Sequence, residues 1–198
     1  MTCPDSNPAE SKPPITNRAA SNADAHPVET AYQFCPRCGT RSESVGKVPF
    51  RCTDCEFANF FGPVAAVGGL VVDDVGRLLL VRRARDPGKG CWGLPGGFVD
   101  RNESVEQALA REVVEETALK VSSCRLILTH PNQYNYRGLV APVIDLFYVC
   151  EVVDRDQITL ARDELDHYEW VHPTQKHLDH MAFASNRVAI EHWLSMAK

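Results

Sequence analysis

The chain has 198 residues, 44% of them hydrophobic, with a formal net charge of −5. That length holds one ordinary domain plus a small module, and that apolar content supplies a core. The negative balance argues against a general nucleic-acid binder, and no run approaches the 18 or so apolar residues of a membrane span.

Residues 1–30 are rich in Pro, Ser, Asn and Ala and poor in large apolar side chains, so the expectation is a disordered tail. The start of the chain shows neither the basic opening nor the apolar run of a signal peptide, which predicts a soluble, cytoplasmic protein with no membrane partner. A small module follows over residues 31–60. "FCPRCGT" and "RCTDCEF" give two C-x₂-C pairs, Cys35 with Cys38 and Cys52 with Cys55, thirteen residues apart. Each pair can chelate from a tight turn, and two such knuckles close a tetrahedral four-thiolate site. A structural Zn²⁺ is therefore expected, since four thiolates leave no open position for catalysis. The paired spacing favours metal ligation over disulfides and leaves Cys3, Cys91, Cys124 and Cys150 as free thiols.

From about residue 61 to 198 the main domain begins with two β-rich runs, "PVAAVGGLVVDD" and "RLLLVRR", which the turn "DDVGR" predicts to form a hairpin. A glycine-containing loop leads to "CWGLPGGFVD". Ser104 and Gln107 then stand in capping-box spacing at the start of a helix. "REVVEET", residues 111–117, lies in its later turns, where Glu112, Glu115 and Glu116 at i, i+3 and i+4 share one face. Carboxylates so placed repel by about 0.2–0.5 kcal/mol per exposed pair, and more when buried, so a hard divalent cation is the natural counter-charge. "SCRLILTH", "VIDLFYVCEVV" and "HYEWVHP" read as further strands and "SNRVAIEHWLSMAK" as an amphipathic helix. Strands mixed with a few helices indicate an α+β fold or a mixed α/β sandwich.

At "GGFVDRNESVEQALAREVVEETAL" the chain resembles the Nudix hydrolase family. Gly97, Glu103, Arg111, Glu112, Val113, Glu115, Glu116 and Leu119 all match its signature, and only Ala118 departs, where the family has Gly. From Phe34 onward the likeness is to the subgroup that carries an N-terminal zinc ribbon. The resemblance implies an α/β/α sandwich with a mixed sheet behind the ribbon, and a Mg²⁺- or Mn²⁺-dependent pyrophosphohydrolase. Glu112, Glu115 and Glu116 would ligate the cation, with the Gly97 carbonyl as a backbone ligand, while Glu103 and Arg111 form a supporting ion pair. In relatives the general base is either a glutamate of the signature or a carboxylate on a distant loop, here Glu164 in "ARDELDHYEWV". The resemblance also allows a homodimer.

The substrate implied is a small-molecule nucleoside diphosphate linked to another moiety, of the NADH, ADP-ribose or FAD type. The alternatives are a pyrophosphatase that removes oxidised dNTPs and a non-catalytic nucleotide sensor using the ribbon for interaction. The "SQPWPFP"-like segment of NADH-cleaving relatives is absent, its place taken by "THPNQYNYRG". Tyr134 and Tyr136 alternate and so would share a strand face, where they could stack a base or pack on the sheet. Arg82, with Arg83 and Arg85 beside it in "VRRARD", is a candidate for phosphate contact. The scattered histidines, among them His130 and His167, have no metal-ligand spacing.

Overall fold

The computed structural model describes residues 25–196. The tail expected over residues 1–30 lies outside the described residues as far as residue 24. Its last residues differ from that expectation: β1 (His26–Pro27) pairs in parallel with Leu139 and Val140, and residues 28–30 form a 3-10 turn. Backbone pairing with a strand far along the chain orders a segment whose side chains alone would not.

In the cysteine module, β2 (Phe50–Arg51) and β3 (Ala58–Asn59) form a short antiparallel pair. Beneath them Tyr32 meets Phe50 and Phe61 edge-on, at ring-centroid distances of 5.3 and 4.8 Å. This aromatic cluster is the module's whole apolar interior, shared with the buried Cys35 and Cys52.

The main domain has two sheets. In the first, β7 (Val121–Tyr136) and β8 (Leu139–Val152) form a long antiparallel hairpin, and β4 (Val64–Val71) pairs in parallel with Val143–Cys150 of β8. Since β7 takes one edge of β8, β1 and β4 share the other edge, one after the other. In the second sheet β5 (Leu78–Arg83) lies between β6 (Trp92–Gly93) and β9 (Leu165–Val171), both antiparallel to it.

The hairpin expected between β4 and β5 is not formed. One bridge, Val72 to Leu78, closes the turn, and the two strands then enter different sheets. The turn is pinned by buried Asp73, whose carboxylate accepts from the Val75 and Arg77 backbone N–H groups and the Arg77 guanidinium. Both strands carry buried side chains rather than forming hairpin arms, and β5 is central in its sheet. Leu79 and Val81 of β5 join Val67 and Val71 of β4 in one core, while Leu78 and Leu80 join Leu70 in another.

Those two cores lie on opposite sides of the strands and define the layers. Helix α1 (Val105–Thr117) covers the first through Ala108, Leu109 and Val113; α2 (Gln175–Asp179) and α3 (Ala184–Met196) cover the second through Leu178, Ala189 and Ile190. The result is the expected α/β/α sandwich with a mixed sheet. No described helix is long and apolar enough to cross a membrane.

Helix α1 starts as its sequence dictates. The Ser104 hydroxyl accepts from the Gln107 N–H at 3.2 Å and the Gln107 side chain accepts from the Ser104 N–H at 2.7 Å, which closes the capping box. It ends at Ala118, with φ 62° in the left-handed region where the family resemblance calls for Gly. A Cβ there is strained, so Ala118→Gly is expected to raise stability by about 1 kcal/mol. Chemical denaturation checks this through a higher midpoint at unchanged slope.

Candidate active site

Three segments that are distant in sequence meet beside α1. The turn after β6 carries Gly96 and Gly97, the β9 approach carries Glu164, and α1 itself carries the glutamates. Together they line a cavity of about 350 Å³. Gly96 has φ 152°, and a Cβ on it would overlap the Val67 carbonyl. Gly97 sits so close to α1 that a Cβ would lie 2.6 Å from the Glu112 carboxyl carbon. The absence of side chains at this turn is what lets backbone and carboxylates approach.

Glu116 is 6% exposed, and one carboxylate oxygen accepts from the Gly96 N–H at 3.0 Å. Burial, with the Glu112 and Glu164 charges adding to it, pushes its carboxyl up to about 8 against the Gly96 hydrogen bond. Glu112, half-buried, is also raised, chiefly by burial, despite its contact with Arg111. Glu115 stands at the rim, more than half exposed.

Arg111 organises this cluster. Its guanidinium grips Glu103 through two hydrogen bonds of 3.1 and 2.7 Å, reaches Glu112 at 2.8 Å and Glu115 at 3.1 Å, and donates to the Phe98 carbonyl at 3.1 Å. Five donors on a planar fork can do this; a lysine ammonium cannot. Glu103 in turn accepts from the Asp100 N–H, so the loop ahead of α1 is tied to the same guanidinium.

The donor set suits a hard cation. Two raised carboxyls and a third at the rim are an arrangement that a divalent ion relieves, and carboxylate oxygens are the ligands Mg²⁺ and Mn²⁺ prefer. The Gly97 carbonyl already accepts from the Val67 N–H at 2.8 Å and has a second lone pair.

The loop residues proposed from sequence divide. Glu164 lines the cavity with the glutamates and is held by Arg85 at 2.5 Å. Arg83 and Arg85 line the cavity as well, whereas Arg82 points to another face, bound to Asp166 at 2.6 Å. Strand alternation explains this: β5 places consecutive arginines on opposite sides. Tyr134 lines the cavity and meets Phe98 edge-on at 5.1 Å, but Tyr136, at the hairpin end, is exposed and does not. Sequence reading did not find Asn132, Asp145 or Phe183, which also line it. The period-2 pattern that singled out Tyr134 would have reached Asn132, two positions back on the same face.

A second constellation is complete in the small module. The Cys35 and Cys55 sulfurs are 3.6 Å apart, as are those of Cys38 and Cys52, and all four lie within 4.8 Å of one another without a disulfide. Tetrahedral zinc–thiolate bonds of about 2.3 Å imply sulfur separations of about 3.8 Å, so the four thiols fit that ion.

Comparison with known proteins adds a family. Residues 62–193 match the NUDIX domain. An ADP-ribose pyrophosphatase of Methanocaldococcus jannaschii is 38% identical over 96 residues, 48% of this chain and 54% of that protein. A NAD-capped RNA hydrolase NudC of Haemophilus influenzae is 26% identical over 143 residues, 70% of this chain and 51% of that protein. The chain thus spans about half the length of these curated relatives. Among solved structures, the NUDIX domain of Shewanella oneidensis NrtR, complexed with ADP ribose, superposes with a TM-score of 0.56 at 25% identity, covering 69% of this chain and 90% of that one. The glutamates on α1, the glycine turn facing them and the sandwich that joins the two all fall inside the matched region, and the chain belongs to the NUDIX domain family.

Proposed function

We propose that the chain is a divalent-metal-dependent pyrophosphohydrolase that cleaves a nucleoside diphosphate linked to a second group, of the ADP-ribose type. The observation that carries this reading is the convergence of Glu112, Glu115 and Glu116 with Glu164 and two arginines on one cavity. The names of the relatives support the substrate class, since one is an ADP-ribose pyrophosphatase and another is seen with ADP ribose. The retained carboxylates favour an enzyme over a sensor.

Glu112, Glu115 and Glu116 would hold Mg²⁺ or Mn²⁺, which when bound supplies the positive charge that offsets the phosphates and polarises the attacked phosphorus. Arg111 fixes two of these carboxylates and the Gly96 N–H fixes the third, so the site is aimed before substrate arrives. Arg83 and Arg85 face the same space and suit the phosphate oxygens. Water attacks one phosphorus of the bridge; a new P–O bond forms, the bridging P–O bond breaks, and two phosphomonoesters leave. The attacking water's proton passes to Glu164. In the free protein Glu164 is paired with Arg85, and a phosphate that draws Arg85 away frees the carboxylate to act as base.

Glu164→Gln is accordingly expected to lower kcat by about 10²–10⁴-fold with little change in metal affinity of the free protein, and to flatten the acidic limb of the kcat–pH profile. A variant that keeps both its rate and that limb would move the base to Glu112. The function itself is tested by incubating the protein with NADH, ADP-ribose, FAD, Ap₄A, CoA and 8-oxo-dGTP in Mg²⁺ and in Mn²⁺ and identifying the products. Cleavage of a linked nucleoside diphosphate to two phosphomonoesters is expected. Release of pyrophosphate from 8-oxo-dGTP alone, or no turnover of any substrate, would overturn the reading.

A further inference from the structure

The cavity has a second polar group that the proposed chemistry does not use. Asp145 lines it and is only 7% exposed, on the face of β8 that also carries Val143 and Phe147. In the parallel pairing of β4 with β8, Asp145 lies opposite Ala66 and Phe147 opposite Gly68. Gly68 leaves room for the Phe147 ring, since a Cβ there would sit 2.7 Å from it. The α1 core is built from Val67 and Val71, the alternate positions of β4. Asp145 and the glutamates of α1 therefore reach the cavity from opposite sides of the sheet, and their surroundings are separate. Burial raises the Asp145 carboxyl against Ser185, Asn132 and His130, whereas the glutamates feel chiefly burial, one another, Arg111 and Glu164.

A carboxyl this buried needs partners, and the protein supplies one hydrogen bond of full geometry. The Asn132 amide donates to Asp145 Oδ2 at 2.8 Å, while the Asn132 oxygen accepts from the Gln133 N–H, so the amide that holds Asp145 is itself oriented by the backbone. Oδ2 is thereby occupied, and Oδ1 takes no part in that contact. Beside it the buried His130 Nδ1 has no protein hydrogen-bond partner, and the Ser185 hydroxyl, close enough to favour the charged Asp145 carboxylate, makes no hydrogen bond of full geometry. His130 is the direct cross-strand neighbour of Asp145. Buried polar atoms so thinly partnered are uncommon, and here they adjoin an aspartate that lines a cavity, which points to a ligand with hydrogen-bonding atoms of its own. The walls define its shape. Tyr134, Phe98 and Phe183 line the same cavity beside the nearly buried Phe147, and aromatic side chains suit a planar ring rather than a ribose diol.

We propose that Asp145, positioned by Asn132, reads the exocyclic amine of the substrate's purine, accepting its N–H at Oδ1. The proposal rests on the nucleotide reading above and names the base-selecting residue of that site. A site built around a buried acceptor rejects a ligand that presents a carbonyl oxygen in the same place, because two acceptors then face each other with no proton between them. Adenine, whose 6-position carries an amine, is accepted; hypoxanthine, whose 6-position carries an oxygen, is refused.

The test is calorimetric binding of AMP and of IMP in Mg²⁺ to the full chain, repeated with Asp145→Asn and Asn132→Ala. The wild type is expected to bind AMP about 10–100-fold tighter than IMP. Asp145→Asn, which replaces one acceptor oxygen by a donor, should bring the ratio close to one by weakening AMP and strengthening IMP. Asn132→Ala should reduce the ratio partly by freeing Asp145. A merely structural Asp145 would change melting temperature and leave the ratio alone. Equal binding of AMP and IMP by the wild type overturns the proposal whichever variants fold, and so does an Asp145→Asn protein that keeps the wild-type ratio. The panel of hydrolysis substrates is independent of this: amine-dependent AMP binding without turnover sinks the enzymatic reading and leaves the base site standing, while turnover without amine preference does the reverse.

Discussion

Replacing Glu116 by Gln is expected to cut metal-dependent turnover by about 10²–10³-fold or more while leaving the fold intact. The substitution keeps the size of the side chain and an oxygen to accept from the Gly96 N–H, so the α1-to-glycine-turn contact survives. What it removes is the most deeply buried negative charge of the cluster. The same change has an opposite effect on the metal-free protein. Burial and the neighbouring Glu112 and Glu164 charges raise the Glu116 carboxyl to about 8, above its value in an unfolded chain. The folded state therefore holds a proton that the unfolded state releases, and stability falls as pH rises from about 4.5 towards 8. The expected loss over that window is on the order of a few kcal/mol, and in Glu116→Gln it is largely absent. Thermal melts at pH 5 and pH 8 in buffer without Mg²⁺, Mn²⁺ or chelator read the difference. Added Mg²⁺ should stabilise the wild type at pH 8 far more than the variant. A Glu116→Gln protein with near wild-type kcat at saturating Mg²⁺ would remove the residue from the metal site, and a flat wild-type melting profile would show that the cluster is not strained.

The parts of this protein legible in its sequence are those fixed within a few residues. The capping box of α1 is a contact between positions three apart, and the Glu112, Glu115 and Glu116 face is set by helical period alone, so both could be read without a fold. The paired cysteines are of the same kind: chelating turns are local, and only their meeting is tertiary. What could not be read depends on which strands pair. The "DDVGR" turn carries every local sign of a hairpin, and β4 and β5 do bridge at its mouth, yet each strand finds a longer partner elsewhere, β4 in β8 and β5 in β9. The length of β7 and β8 was concealed by Pro131 and Pro142. Pro131 is tolerated because β7 is an edge strand, and Pro142 falls between the segments of β8 that pair with β1 and with β4. Arg82 is the instructive case among site residues. Three arginines in four positions look equivalent on paper, but alternation turns Arg82 to Asp166 and leaves Arg83 and Arg85 to the cavity. Asp145 carried no signal at all, being one acidic residue in an apolar strand, and acquires meaning only from the cross-strand neighbours that surround it.

Removing the metal from the cysteine module is expected to unfold residues 31–60 while the NUDIX domain stays folded. The module's interior is one cluster of aromatic rings around Phe50, with Cys35 and Cys52 buried among them. Segments below about 40 residues rarely hold a fold on such an interior without a metal or disulfides, and the four thiols here are free. A structural Zn²⁺ on Cys35, Cys38, Cys52 and Cys55 would supply what the rings cannot. Purified protein prepared without chelator should contain one zinc per chain. Cys38→Ser should lose it, because a serine hydroxyl does not ionise near neutral pH to replace a thiolate. The readout is limited proteolysis: cleavage within residues 31–60 should accelerate by orders of magnitude in Cys38→Ser or after chelation, while the core of the domain, held by Leu79, Leu109 and Val113 on one side and Leu78 and Ile190 on the other, remains resistant. Activity of the folded fraction should change by less than about threefold, since neither the thiols nor the rings line the cavity. Protein that contains no zinc, or a Cys38→Ser module as protected as the wild type, would overturn the assignment. A collapse of domain and module together would show instead that β1, which pairs with Leu139 and Val140 of β8, ties the module's stability to the sheet.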